Sequence, residues 1–152
     1  MNIYVATSWR NPRQQEIVKL LRAQGYEVYD FRDPANYAFH WRHIDPGWDS
    51  WTPEQCRDAL DHELALKSFA SDKAAMEAAQ VCVLVQPCGR SAHLEAGWFA
   101  ACPNKKLVIL LHDGDPEAMF KLADAICATT EELLAMLDGM RREYDAWLPP
   151  FG

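Results

Sequence analysis

Glu95 stands a short way past the apolar run Val81-Cys82-Val83-Leu84-Val85, within Gln86-Pro87-Cys88-Gly89-Arg90-Ser91-Ala92-His93-Leu94-Glu95-Ala96-Gly97-Trp98. The run reads as a buried strand, Pro87-Cys88-Gly89 as a turn, and the residues from Ser91 as a helix. Glu95 is then expected in the first turns of that helix, just beyond the carboxyl end of a strand. In open α/β sheets that edge is where ligands bind. A carboxylate near a helix start is kept ionised by the dipole and by free amides, which suits it to attack an electrophilic sugar carbon. Asp72 is the carboxyl to pair with it. In a different environment a second carboxyl stays protonated and serves as an acid. Glycosidic cleavage with retention uses two such groups ~5–5.5 Å apart. The bland alternative is a solvated helix residue at Glu95 and an Asp72 that merely follows a cap.

Two further segments carry candidate ligand groups. Thr7-Ser8-Trp9-Arg10-Asn11-Pro12 follows the first apolar run, and its hydroxyls, guanidinium and helix-opening amides suit a phosphate or carboxylate. Ser and Asn are also ordinary caps. The segment has none of the glycines of a dinucleotide fingerprint or a P-loop, which disfavours NAD binding of the Rossmann type and NTPase chemistry. Residues 32–51 form a long loop rich in aromatic and turn residues, and a loop of that length in a small domain is usually functional or disordered. Its aromatic content disfavours disorder. Tyr37, Phe39, Trp41 and Trp48 can stack on a flat base, and His40, His43 and Asp45 can read its edge. Packing of the loop onto a sheet is the competing role. His40 and His43 lack a Glu at zincin spacing, so a metal is not expected.

The totals set outer limits. A chain of 152 residues, 49% hydrophobic and 24% charged, is long enough for one domain with a core and too apolar for disorder. The net charge of -7 argues against broad nucleic-acid binding, which needs a basic footprint, but not against a small anion held by one or two arginines. Apolar runs fall short of the ~20 residues that span a bilayer, and the N-terminus lacks a signal-type core, so a cytoplasmic protein is expected. The cysteines 56, 82, 88, 102 and 127 form no CxxC pair and lack zinc spacing. Cys82 and Cys127 read as reduced core residues. Cys88, with His93 as a weak base partner, is more often inert than nucleophilic.

The elements that must position these groups alternate between strand and helix, which favours a parallel sheet with helices on both faces. Strands are expected at 2–6, 27–31, 81–86, 105–111 and 125–127. Asn11 and Pro12 open a helix to about Ala23 that Gly25 ends. Thr52-Pro53-Glu54-Gln55 starts a helix to about Phe69, and Ser71 caps a second short one carrying Asp72. Further helices are expected at 91–101 and 116–122. Thr129-Thr130-Glu131-Glu132 opens the last, to about Trp147, before an apolar tail. Without linker or repeat, the chain reads as one domain over 1–152.

With these residues in order, the chain resembles the nucleoside 2-deoxyribosyltransferase family and the related 2'-deoxynucleoside 5'-monophosphate N-glycosidases. The resemblance rests on the opening strand with its Ser/Arg-bearing loop, an Asp leading a short helix, and Leu94-Glu95-Ala96-Gly97, which looks like the family's nucleophile segment. A Lys-Lys-hydrophobic strand follows. It implies a flavodoxin-like, doubly wound sheet of about five parallel strands. It implies that Glu95 attacks C1' of a sugar and that Asp72 assists the departing base, which a second base or water then replaces. Ser91 with Arg90 fits the hydrolase branch, where a Ser serves the phosphate, better than the transferase branch, which often carries an Asp before the nucleophile. The expected ligand is a nucleoside or its 5'-monophosphate. Ser8, Trp9, Arg10, Gly89, Arg90 and Ser91 would hold sugar or phosphate, and Phe39, His40 and Trp41 the base. No metal or organic cofactor is implied. A homo-oligomer is implied, with the tail at 147–152 near a neighbour's site. Two alternatives are a non-catalytic nucleotide sensor and a glycohydrolase of a larger ribosyl ligand such as NAD.

Overall fold

The structure, a computed structural model, describes residues 1–112 and 117–147. Five strands, β1 (Asn2–Ala6), β2 (Glu27–Tyr29), β3 (Val81–Val85), β4 (Lys106–Leu110) and β5 (Ala125–Cys127), form one sheet in the order β2-β1-β3-β4-β5. Every neighbouring pair is parallel. The helices are α1 (Gln14–Ala23), α2 (Pro53–Ala59), α3 (Glu63–Ala78), α4 (Arg90–Ala101) and α5 (Thr130–Trp147). This is the flavodoxin-like, doubly wound α/β fold. Among the described residues no helix is long and apolar enough to cross a membrane.

Side-chain alternation builds both faces of the sheet. Ile3, Val5, Val81, Val83, Val85, Val108 and Leu110 share one core with Ile17, Val18 and Leu21 of α1 and with Leu133 and Leu137 of α5. The residues between them face the other way, as period-2 strands require. On that side the ring of Tyr4 lies 5.9 Å from that of Phe99 on α4 and stacks on Tyr29 at 5.6 Å. All five residues of β3 are buried, as expected of a central parallel strand covered on both faces. Each large apolar side chain so buried contributes roughly 1.5–3 kcal/mol.

The element ends follow local chemistry. After α1, Gly25 adopts φ +82, its amide donates to the Arg22 carbonyl and that of Tyr26 to the Leu21 carbonyl. That is a Schellman stop, which the left-handed freedom of glycine permits. Thr52 and Gln55 form the expected reciprocal capping box, and Thr129 caps α5 through the Glu132 amide.

Four boundaries differ from the sequence reading by two residues or more. α1 starts at Gln14 rather than near Pro12, because Asn11 forms a turn whose Oδ1 accepts from the Arg13 amide. β2 stops at Tyr29, where the Asp30 carboxylate accepts from the Arg32 amide and turns the chain. The helical break falls at 60–62 and not at 69–71. There the His62 ring accepts from the Leu64 amide, so His62 caps α3 and Ser71 lies inside it. The helix expected at 116–122 is a single 3-10 turn at Ala118–Leu122, and residues 113–116 of the turn before it lie outside the described residues, as do residues 148–152 of the tail.

The chain divides into two compact units, Met1–Tyr29 with Ala78–Gly152, and Asp30–Glu77. The first holds the sheet. The second holds α2, nearly all of α3, and three 3-10 turns, Pro34–Asn36, Trp41–His43 and Trp48–Ser50.

Candidate functional site

In a 2-1-3-4-5 sheet the connections leaving β1 and β3 depart to opposite sides. The crevice between their carboxyl ends is the topological switch point. The loop after β1 and the turn after β3 meet there. Thr7 Oγ1 donates to the Val85 carbonyl at 2.7 Å. Asn11 Nδ2 lies 3.3 Å from the Val85 carbonyl and 3.1 Å from the Pro87 carbonyl. Within the loop, Ser8 Oγ accepts from the Arg10 amide at 3.2 Å. The bond between Gln86 and Pro87 is cis.

A cleft of about 220 Å³ opens at this point, lined by Ser8, Arg10, Asn11, Pro87, Cys88 and Gly89. Three of the sequence-derived candidates, Ser8, Arg10 and Gly89, therefore share one cavity. Asn11, Pro87 and Cys88 join them. Trp9 sits on the same loop, exposed and outside that lining. Arg90 and Ser91 are the first two residues of α4 and are exposed. Their helix starts at Gly89 without a side-chain cap, so its first amides face the end of the sheet with no such partner. An anion is the ligand such amides favour.

Glu95 is the sixth residue of α4 and half-buried. It lies beside the helix face that carries the buried Ala92, Ala96 and Phe99. The expectation that free first-turn amides hold its charge is corrected here. Glu95 is in the second turn, and both the orphan amides and most of the dipole effect are confined to the first. The six cleft-lining residues do not include Glu95. Its link to the cleft is Cys88, whose thiol it influences. Burial first, then the negative charge of Glu95, push the Cys88 thiol up to about 11. The same two causes raise the buried Cys82 thiol. The carboxylate of Glu95 is thus within electrostatic reach of the end of β3 and of the cleft wall.

Cys88 itself is not set up as a nucleophile. Burial and Glu95 favour its neutral thiol, whereas the thiolate is the reactive form. Both ring nitrogens of His93 lie 3.8 Å from its Sγ, while His93 Nδ1 sits 2.9 Å from the Gly89 carbonyl. The imidazole is committed to the backbone of its own helix start rather than to the thiol.

The second unit holds Asp72, Phe39, His40 and Trp41. Asp72 is half-buried on α3. The rings of Phe39 and Trp41 meet edge to face at 4.9 Å, those of His40 and Trp48 at 5.2 Å, and those of Trp41 and Trp51 at 5.9 Å. The polar groups of the loop serve its own backbone. His40 Nδ1 accepts from the Arg42 amide and His43 Nδ1 from the His40 amide, both at 3.2 Å. Asp45 accepts from the Gly47 amide at 2.8 Å and from Trp51 Nε1 at 2.7 Å, and these bonds hold its carboxyl below the usual range. These bonds fix the orientation of the His43 ring and of the Asp45 carboxylate within the loop.

Asn11 and Pro87 lie within the two segments that the sequence singles out, but neither is among the named ligand residues. For Asn11 the competing reading is that of an ordinary helix cap before Pro12. No protein-family model matches this chain, and no curated protein matches it significantly.

Proposed function

We propose that the protein breaks the N-glycosidic bond of a nucleoside or nucleoside 5'-monophosphate, with Glu95 as the nucleophile. The observation that carries this reading is a half-buried carboxylate in the second turn of α4, the helix that follows β3 at the β1/β3 switch point, where a cleft is lined by Ser8, Arg10 and Gly89. The Glu95 carboxylate adds to C1' of the sugar as the C1'–N bond breaks. The bonding pair leaves with the base, which takes a proton from an acid. The glycosyl ester then yields to water, which releases free sugar, or to a second base, which gives transfer. The resemblance gives Asp72 the role of the acid. Arg10 and the uncapped start of α4 at Arg90 and Ser91 suit a 5'-phosphate or the sugar hydroxyls. Phe39, His40 and Trp41 offer flat surface for the base. A nucleoside or nucleotide ligand, and assembly into a homo-oligomer, belong to the same proposal.

Chromatographic detection of free base tests it. Purified wild type and Glu95→Ala are incubated with ribo- and deoxyribonucleosides and their 5'-monophosphates, with and without an acceptor base. Release by wild type, reduced on the order of 10³-fold or more in Glu95→Ala, supports the reading, and acceptor dependence separates transfer from hydrolysis. Undiminished release by Glu95→Ala, or none by wild type across the panel, overturns it.

A further inference from the structure

Asn11 is only 1% exposed, and its side chain is fully engaged. Oδ1 accepts from the Arg13 amide at 2.9 Å, a local bond of the kind any cap makes. Nδ2 does something different. It donates into a ring of acceptors formed by Thr7 Oγ1 at 2.9 Å and the carbonyls of Pro87 and Val85 at 3.1 and 3.3 Å. Thr7 closes the ring with its own bond to the Val85 carbonyl. An amide has two hydrogens to share among these oxygens. A buried network of this sort is stiff when satisfied and costly when one donor is removed.

The two carbonyls belong to the strand end and turn that lead into α4. Residues Gln86 to Gly89 are all that separate β3 from the helix that carries Glu95. We propose that Asn11 is a positioning residue: it clamps the β3–α4 turn to the β1 loop, and through that turn fixes the start of α4, the helix on which Glu95 stands. The inference rests on the reading of Glu95 as nucleophile. It assigns Asn11 a role that a cap alone does not require, because a cap needs an acceptor and the clamp needs donors.

Asn11→Asp separates the two roles. Its carboxylate keeps the acceptor for the Arg13 amide but loses both N–H donors and sets negative charge against two carbonyl oxygens. Asn11→Ala removes both functions. Thr7→Val removes one strut of the ring and serves if an Asn11 variant fails to fold. For the full chain, kcat and KM for base release are measured together with the rate of Cys88 alkylation by iodoacetamide. Peptide mass spectrometry resolves Cys88 from the exposed Cys56, the internal reference. The clamp predicts that Asn11→Asp behaves like Asn11→Ala. In both, kcat falls on the order of 10–100-fold with KM held within about threefold. Cys88, freed from burial, reacts at least about tenfold faster while Cys56 is unchanged. Wild-type kcat and a wild-type Cys88 rate in Asn11→Asp would overturn the clamp. If wild type releases no base from any substrate, the glycosidase reading falls by itself. Accelerated Cys88 alkylation in Asn11→Asp then still upholds the clamp, and an unchanged rate still defeats it.

Discussion

All five residues of β3 are buried, whereas between Asp30 and Glu77 only Asp30, Ala65 and Met76 are. The two regions are held by different means. The sheet unit joins segments distant in sequence, with β1 paired to β3 and the α1 and α5 side chains sharing one core. In the segment 30–77 many hydrogen bonds close within a few residues, beside ring contacts eight to ten residues apart. Asp33 accepts from the Ala35 amide, His40 and His43 cap one 3-10 turn, Asp45 ties Gly47 to Trp51, and Thr52 and Gln55 cap each other. Non-local burial gives cooperativity and a rigid edge on which to mount a site. Local staples give a defined loop conformation that opens piece by piece.

The strongest way to break this contrast is through the core. Leu137 is fully buried on α5 among Val108, Leu110 and Leu133. Leu137→Ala should cost ~2–5 kcal/mol by chemical denaturation, from lost transfer energy plus the cavity left behind. Hydrogen exchange should show the loss across the strand amides of β1, β3 and β4. If the Gly47 and Gln55 amides lose protection in the same proportion, the segment 30–77 is not held locally and the comparison fails.

A smaller effect is expected at the staple. The Trp51 indole bond first, then the Gly47 amide, depress the Asp45 carboxyl below its ordinary 3.8. A depressed folded value means that the stabilisation is fully present above the unfolded pKa and is lost as pH falls through the folded one. The Trp51 indole N–H resonance should therefore titrate with a midpoint below 3.8. In Asp45→Ala the resonance should lose that pH dependence, and exchange at Gly47 should quicken on the order of tenfold. A titration midpoint at or above 3.8 would remove Asp45 as the staple.

The same contrast explains what was legible in the sequence. Alternating and β-branched runs placed β1, β3, β4 and β5 within a residue or so, because period and burial are local signals of a non-local structure. The caps at Thr52 and Thr129 were legible for the same reason. Ser71 was misread as a cap because its residue type says nothing of the competing cap that His62 supplies at the true break. At the site, Ser8, Arg10 and Gly89 follow from the rule that ligands bind beyond strand ends. Asn11 does not. Its decisive partners, Val85 and Pro87, lie more than 70 residues away, and only the β1–β3 pairing brings them to its amide. The aromatic segment was legible as a cluster, but the engagement of His43 and Asp45 with their own backbone was not, because side-chain types do not reveal which hydrogen bonds are already taken.

The smallest prediction sharpens the picture of α4. Gly97 lies mid-helix, and a Cβ built there meets no atom within 4 Å. Glycine inside a helix costs roughly 0.5–1 kcal/mol relative to alanine, through the freedom it loses on folding. Gly97→Ala should accordingly raise the stability of the chain by about that amount, read as a shift of the denaturation midpoint with an unchanged m-value. A shift in the opposite direction would mean that the space over Gly97 is filled in solution. Another copy of the chain packed against α4 would do that, and the loss should then shrink on dilution, because the stabilisation from association that the variant forfeits itself vanishes as both forms become monomeric. A loss independent of concentration would place the conflict within the chain itself. That outcome would put the surroundings of α4, and with them the setting of Glu95, at odds with the open space seen over Gly97.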